Sequence, residues 1–265
     1  LTVQKKIRLD QLLAERGFFP TRSRAQAAIL EGKVLVDGRS GLKAGDRVAP
    51  NAGIELLGPD CPYVSRGGLK LEGALDAFGL DVKGFAALDI GASTGGFTDC
   101  LLKRGAAHVT ALDVGNGLIA WSLRTDERVT VIENTNARDL APDIAPGPCD
   151  LIVIDVSFIS LKLIFPSLPS RMKPGGLLLA LIKPQFEAGR GKAPGGVVRD
   201  SSVWKDVLRS FMSPDIFKCD NPPFLHGFMV SPIEGREGNR EFFGLWRMGG
   251  EIRDPHVIEK WISDL

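Results

Sequence analysis

Two hydrophobic periodicities divide the chain. Over residues 8–16, Leu9, Leu12 and Leu13 share one helical face, and a second helix is expected to open at Ser23, whose spacing to Gln26 forms a capping box, and to end at Gly32. Val34-Leu35-Val36 reads as a strand running into Asp37-Gly38, a hairpin signal, with further short strands at Asp46-Arg47-Val48 and Gly53–Leu57. A helix-turn-helix on a small sheet is thus expected over residues 1–60. Residues 61–83 contain a Gly-rich joint that turns into a helix carrying Lys70 (VSRGGLKLEGA). From 84 to 265 the pattern changes to short apolar strands separated by helical stretches: Ala86–Ile90, Val109–Val114, Val129–Glu133, Leu151–Ile154 and Leu177–Ile182. That alternation predicts an α/β domain with a mainly parallel sheet covered on both faces. Phe224–Val230 and Glu241–Trp246 have no long helix between them and predict an antiparallel pair at one edge.

Composition adds little to this picture globally and more locally. At 265 residues, 44% hydrophobic and 25% charged, the chain is long enough for one sizeable core and a small satellite domain, which argues against disorder. Its 33 Lys+Arg nearly balance 32 Asp+Glu, so any basic surface must be local. One lies at the start, where Lys5, Lys6, Arg8, Arg16, Arg22 and Arg24 face only Asp10 and Glu15. Cys61, Cys100, Cys149 and Cys219 are widely spaced, without a Cys-x-x-Cys pair or clustered histidines, so no metal site is expected. Cys100 and Cys149 sit in or beside apolar segments, which suits a reducing compartment such as the cytoplasm. The run Leu177–Ile182 is far short of the ~20 residues of a membrane helix, so no membrane insertion is expected.

The candidate chemistry begins at ALDIGASTGGF (87–97), a strand, a glycine turn and a helix start, where open α/β sheets bind ligands. A dinucleotide site would want Gly-x-Gly-x-x-Gly, but Ser93 takes the second glycine position. Gly91-Ala-Ser93-Thr-Gly95 also fits a hydrolase elbow, with Asp155 and His226 following in hydrolase order, yet an elbow comes after several strands and this loop follows the first. The third reading is an S-adenosylmethionine loop formed by Asp89, Gly91, Ser93, Gly95, Gly96 and Phe97. Asp113 follows Asp89 at an offset suited to ribose hydroxyls, although a helix-cap role fits it as well. Asp139 either faces the adenine or caps a helix.

Asp155 and Lys183 each end an apolar strand, LIVID and LALIK, at the edge that carries the glycine loop. Either alone reads as a solvated terminus; two opposite charges converging beside a ligand loop favour a site. A ribose hydroxyl needs a base, and lysine serves if neighbours and desolvation lower its pKa, with no metal required.

Two resemblances sharpen these readings. RLDQLLAERG and SRAQAAILEGKVLVDG resemble the alpha-L RNA-binding domain of a small-subunit ribosomal protein, pseudouridine synthases and a tyrosyl-tRNA synthetase. This implies a phosphate-facing set of Arg8, Arg22, Arg24 and Lys33, which on charge alone would read as a solvated face. YVSRGGLKLEGAL, ALDIGASTGGFTDCLL, ALDVGNGLI, DLIVIDVSFISL, LIKPQFEAG and SPIEGREGNREFF together resemble the TlyA family of haemolysin-like ribosomal RNA methyltransferases, over nearly the whole chain. The resemblance implies a Rossmann-like, FtsJ-type methyltransferase domain behind the RNA-binding one, S-adenosylmethionine as cofactor, and cytidine 2′-hydroxyls of small- and large-subunit rRNA as targets, free or within ribosomal subunits. It also implies a Lys-Asp-Lys-Glu tetrad at Lys70, Asp155, Lys183 and Glu241, with Lys183 as proton acceptor. Glu234 and Glu237 are nearby rivals for the glutamate.

Three features stand outside that reading. Asn221-Pro-Pro-Phe224 matches a motif of nitrogen-directed methyltransferases but follows the wrong strand, so it is expected to be a turn. Arg190-Gly-Lys192 is either an RNA-contacting lid or a plain surface loop. The rival to an enzyme is a haemolysin-associated RNA-binding protein; a cytolysin should offer an insertion segment, and none is found.

Overall fold

The computed structural model describes residues 6–37, 42–56, 61–140, 147–189, 191–235, 238–249 and 254–265, without the side chains of residues 139 and 255. The N-terminal unit starts with β1 (Ile7–Arg8) and α1 (Leu9–Glu15), whose Leu9, Leu12 and Leu13 are buried as their spacing requires. α2 (Arg22–Leu30) opens two residues earlier than the capping box predicts, since a Ser23 cap would start the helix at Arg24. Thr21, not Ser23, is the cap: its side chain accepts the Arg24 N–H, and Gln26 is free to donate to Asp10 at 2.7 Å. β2 (Val34–Val36), β3 (Arg47–Val48) and β4 (Ile54–Leu56) complete the unit. β2 pairs antiparallel with β4, and β1 with β3. The Asp37-Gly38 signal therefore does not join neighbouring hairpin strands: Asp37, at φ +50°, accepts the Gly53 N–H instead, and Gly38 lies outside the described residues.

α3 (Gly67–Phe78) leads into the large domain. Its sheet combines β5 (Ala86–Ile90), β6 (His108–Leu112), β7 (Val129–Ile132), β8 (Cys149–Ile154), β9 (Met172–Ile182), β10 (Phe224–Val230) and β11 (Phe242–Arg247) in the order β10-β11-β9-β8-β5-β6-β7. β7, β6, β5, β8 and β9 run parallel, and β11 is antiparallel to both β9 and β10. This is the α/β sheet with an antiparallel edge expected from the pattern. Between these strands come α4 (Gly96–Lys103), α5 (Trp121–Arg124), α6 (Pro184–Glu187) and α7 (Ser201–Arg209), and α8 (Pro255–Asp264) follows β11. β9 begins five residues before the apolar run, and its register against β8 slips between Cys149 and Leu151 to accommodate Lys173–Gly176.

One face of the sheet packs on an aromatic cluster in which Phe165 stacks on Phe217 at 5.0 Å and meets Trp246 edge-on at 5.1 Å. Gly244 makes room for this, since a Cβ there would lie 2.4 Å from the Trp246 ring. Phe217, fully buried, explains the otherwise unassigned 213–223 stretch as a core anchor. The opposite face packs against α3 and α4 through Leu71, Leu75, Phe97 and Leu101. No helix among the described residues is long and apolar enough to cross a membrane, and no group of three or more His, Cys, Asp or Glu among them could hold a metal ion.

Candidate active site

The loop after β5 is shaped by what its glycines leave out. Gly91 sits at φ +83°, and a Cβ there would lie 2.3 Å from the Asp155 carbonyl oxygen. Gly95, at φ +95°, would place a Cβ 2.3 Å from Leu123, and a Cβ on Gly96 would meet the Ser65 hydroxyl at 2.2 Å. Ser93 adopts φ +49°, and its N–H donates to Asp113 Oδ2 at 2.8 Å, while Asp113 Oδ1 accepts the Gly115 N–H at 2.6 Å. Asp113 thus clips the loop after β5 to the loop after β6 rather than capping a helix. Each of its oxygens retains a lone pair for a hydroxyl. Phe97 turns away from the loop into the core, 3% exposed and 6.1 Å from the Phe243 ring, because α4 presents it to the sheet. Gly96 is likewise covered, by the segment around Ser65 and Gly67.

Asp89 is fully buried; its Oδ2 accepts the Thr98 hydroxyl at 2.7 Å and its Oδ1 has no partner. Burial raises its pKa to about 7, with the Asp155 and Asp113 charges adding to the rise and the Thr98 bond opposing it. Asp139 ends a short 3-10 turn, Ala137–Asp139, whose cap is Asn136; the Asp139 side chain lies outside the described residues.

Two ion pairs converge at the same carboxyl edge. Lys183 Nζ lies 2.5 Å from Asp155 Oδ1 and donates to Ser157 Oγ at 3.0 Å. Lys70, from α3, lies 2.5 Å from Glu241 Oε2, and the Glu241 side chain is 3% exposed. Gly235 packs against that carboxylate so closely that a Cβ would fall 2.1 Å from Oε1. Glu241, not the exposed Glu234, is therefore the glutamate that reaches this edge, while Glu237 lies outside the described residues. Lys183 corrects one expectation. Burial alone would lower its pKa, but the charges of Asp155 and Glu241 outweigh burial, so its pKa is raised and it rests as the ammonium.

Sequence reasoning missed Phe158. It follows Asp155 and Ser157 at φ +67°, is 83% exposed, and lies 5.1 Å from the Phe186 ring on α6. An exposed aromatic in strained backbone is a functional signal that only the backbone angles reveal.

The remaining candidates separate by position. β10 starts beside the end of β11, and the end of β11 pairs with Leu177 near the start of the parallel run of β9. Asn221–Phe224 therefore lies at the amino edge, opposite Asp155 and Lys183, as the expected turn into β10, and it is too far from that edge to serve the nitrogen-directed alternative. His226 lines a groove at that same far edge with Asp150 and Arg247, so the Ser93-Asp155-His226 triad does not assemble.

In the N-terminal unit, Asp10 is fully buried and gathers Arg8 through two 3.0 Å bonds, Arg22 at 3.0 Å and Gln26 at 2.7 Å. The Arg8 bond, aided by those from Gln26 and Arg22, holds its carboxyl well below the usual range against the opposing effect of burial. Arg8 and Arg22 keep 44% and 52% of their side chains exposed, and Arg24 is exposed. Lys33 departs from the phosphate-facing set: it donates to the Val64 carbonyl and pairs with Glu31 at 2.8 Å, tying the N-terminal unit to the joint.

The FtsJ-like methyltransferase family matches residues 63–247 and the S4 domain matches 7–54. The chain is 43% identical over 244 residues to the 16S/23S rRNA (cytidine-2′-O)-methyltransferase TlyA of Mycobacterium tuberculosis, covering 91% of this chain and 90% of that one. It is 41% identical over 241 residues to Hemolysin A of Brachyspira hyodysenteriae, covering 89% and 98%. A solved structure from Streptococcus thermophilus that carries the hemolysin name superposes with a TM-score of 0.73 at 40% identity, covering 99% of this chain and 96% of that one. A glycine loop beside paired lysines and carboxylates, behind an S4 domain and at this level of identity, places the chain in the TlyA/hemolysin family of FtsJ-like methyltransferases.

Proposed function

We propose that the protein methylates the ribose 2′-hydroxyl of a cytidine in ribosomal RNA, using S-adenosylmethionine. The observation that carries this reading is the convergence of Lys183–Asp155 and Lys70–Glu241 at the sheet edge that holds the glycine loop. The loop fits the cofactor because Asp89 Oδ1, at its base, is a buried acceptor without a partner, and because Gly91 and Gly95, at positive φ, let the turn fold tightly beside Asp155 and Leu123. Asp89, Gly91, Ser93, Gly95 and Asp113 would hold the cofactor. When bound, S-adenosylmethionine supplies an activated methyl group and a positive charge that works against retention of the Lys183 proton.

Lys183, once neutral, accepts the 2′-hydroxyl proton as the oxygen becomes a nucleophile. Asp155 and Ser157 fix the direction of its amine, and Glu241, held by Lys70, adds the charge that stabilises the ammonium formed in that step. Phe158 and Phe186 offer an aromatic platform at the mouth for an unstacked base, which chemistry on one nucleotide of a structured RNA requires. Arg8, Arg22 and Arg24 supply phosphate contacts from the N-terminal unit. The reading needs no metal and no membrane, and the rRNA or ribosomal subunit is the partner. The test is to incubate ribosomal subunits with methyl-labelled cofactor and digest the RNA to nucleosides. Label in 2′-O-methylcytidine is expected; label on a base would overturn the reading.

A further inference from the structure

Two loops rim the proposed site. The first, residues 191–200, leaves α6 just beyond Lys183 and ends at Asp200, the cap of α7; Val198 within it is 6% exposed and packed in the core. The second, described over 231–235 and 238–241, joins β10 to β11 and delivers Glu241. On one side this second loop bears on α3, where Lys70 and Gly73 share a helical face. Lys70 meets Glu241, and a Cβ on Gly73 would lie 2.7 Å from the Pro232 ring.

On its other side the Asn239 side chain fastens it. Asn239, 3% exposed, accepts the Val198 N–H at Oδ1 (3.1 Å) and donates from Nδ2 to the Gly196 carbonyl (2.9 Å). Its own carbonyl accepts the Gly235 N–H at 2.8 Å, and Gly235 is the residue packed on the Glu241 carboxylate.

We infer that Asn239 is a positioning residue for the methyl-transfer step: by clipping the Glu241 loop to the loop that follows Lys183, it sets the distance between Glu241 and Lys183. The inference rests on the proposed role of the tetrad. The links form a closed circuit: Lys183 continues through α6 into the first loop, Asn239 crosses to the second, Glu241 lies two residues on, and Lys70 receives it. The amide suits this task because it satisfies one donor and one acceptor of a loop backbone that has no strand partner there. Gly195 and Gly196, at φ +64° and +83°, form the turn whose Gly196 carbonyl this side chain holds. The groups facing Lys183 are Asp155 from the end of β8, Ser157 after it, and Glu241 before β11, with Lys70 of α3 behind Glu241. Drawing Glu241 away removes one of the two carboxylates that hold the Lys183 proton.

The test uses the full chain with rRNA as substrate and compares Asn239→Ala, Asn239→Asp and Lys183→Ala in single turnover, well below each variant's unfolding temperature. Asn239→Asp is isosteric and keeps the acceptor for Val198, so it remains informative if the alanine variant folds poorly. For Asn239→Ala the expected result is a rate about 10- to 100-fold lower at saturating RNA and cofactor. Both dissociation constants should stay within about twofold, and the rise of rate with pH should move to lower pH. A merely structural role would lower the unfolding temperature and leave the rate per folded molecule and the pH profile unchanged, which would overturn the inference. If Lys183→Ala is inactive while both Asn239 variants match the native enzyme, the positioning role alone fails. If Lys183→Ala keeps its activity, the tetrad reading fails with it.

Discussion

Replacing Gly91 by alanine should disturb the proposed cofactor loop and the strand that carries Asp155 together. At φ +83° any residue with a Cβ carries a backbone cost of about 1–2 kcal/mol. The larger effect is steric: the new Cβ would lie 2.3 Å from the Asp155 carbonyl oxygen and 2.9 Å from its carbonyl carbon. An ordinary carbon–oxygen contact is about 3.3 Å, so β5 and β8 must part by roughly 1 Å at this point. Asp155 is bound there by its own N–H to the Ile90 carbonyl at 3.0 Å, and it carries the carboxylate that directs Lys183. A misplacement of about 1 Å at a reacting centre costs about 100-fold, or about 2.7 kcal/mol of barrier. The assay is single-turnover methyl transfer, with Gly84→Ala as control: Gly84 has a similar φ of +77° but nothing within 4 Å of its missing Cβ. Gly91→Ala should fall about 100-fold and Gly84→Ala should stay within about twofold. A Gly91→Ala enzyme at the native rate, or both variants falling together, would refute the reasoning.

Because Asp155 and Glu241 hold the Lys183 proton above the usual lysine range of about 10, the single-turnover rate should climb with pH from 7 to at least about 9, and Glu241→Gln should shift that climb to lower pH. A flat native profile would contradict this. Phe158→Ala should leave the unfolding temperature unchanged, since the side chain is 83% exposed, yet weaken productive RNA engagement by about 1–3 kcal/mol, read as kcat/KM for rRNA. Asp10→Asn should destabilise the N-terminal unit at pH 7. The depressed carboxyl contributes stability that is present above its unfolded pKa of about 3.9 and is lost as pH falls through the lower folded value. The urea-melt difference from the native chain should therefore persist at pH 5 and shrink below about pH 4; a difference that ignores pH would show that the carboxylate is not responsible.

What could be read from sequence follows from the physics of each element. The parallel strands were legible because a sheet buried on both faces writes continuous apolar runs, and a charge that ends such a run, as at Asp155 and Lys183, stands out. The start of α2 was misplaced because Ser23 and Thr21 both make plausible caps, and only Asp10, beneath the helix, decides where Gln26 goes. The pairing of β2 with β4 depends on tertiary closure, which a local turn signal does not encode. Phe217 was opaque for the same reason, since its partners Phe165 and Trp246 are distant in sequence. Within the site, Lys70 and Glu241 are 171 residues apart, and spacing alone gives no reason to join them; the family motifs did. That the Lys183 pKa is raised was not legible, because desolvation was visible in the apolar strand, whereas the second carboxylate arrives from a loop. Asn239 and Phe158 were missed because a loop amide and an exposed aromatic carry no pattern of their own.

In the proposed mechanism Lys183 moves the proton of the ribose hydroxyl rather than binding either substrate. The most direct measurement is methyl transfer to ribosomal subunits by Lys183→Ala in single turnover, with cofactor and RNA affinities determined on the same protein. Loss of about 100-fold or more in rate, with both affinities unchanged, is the expected result. A native rate in this variant, or a loss explained entirely by weaker binding, would contradict the account.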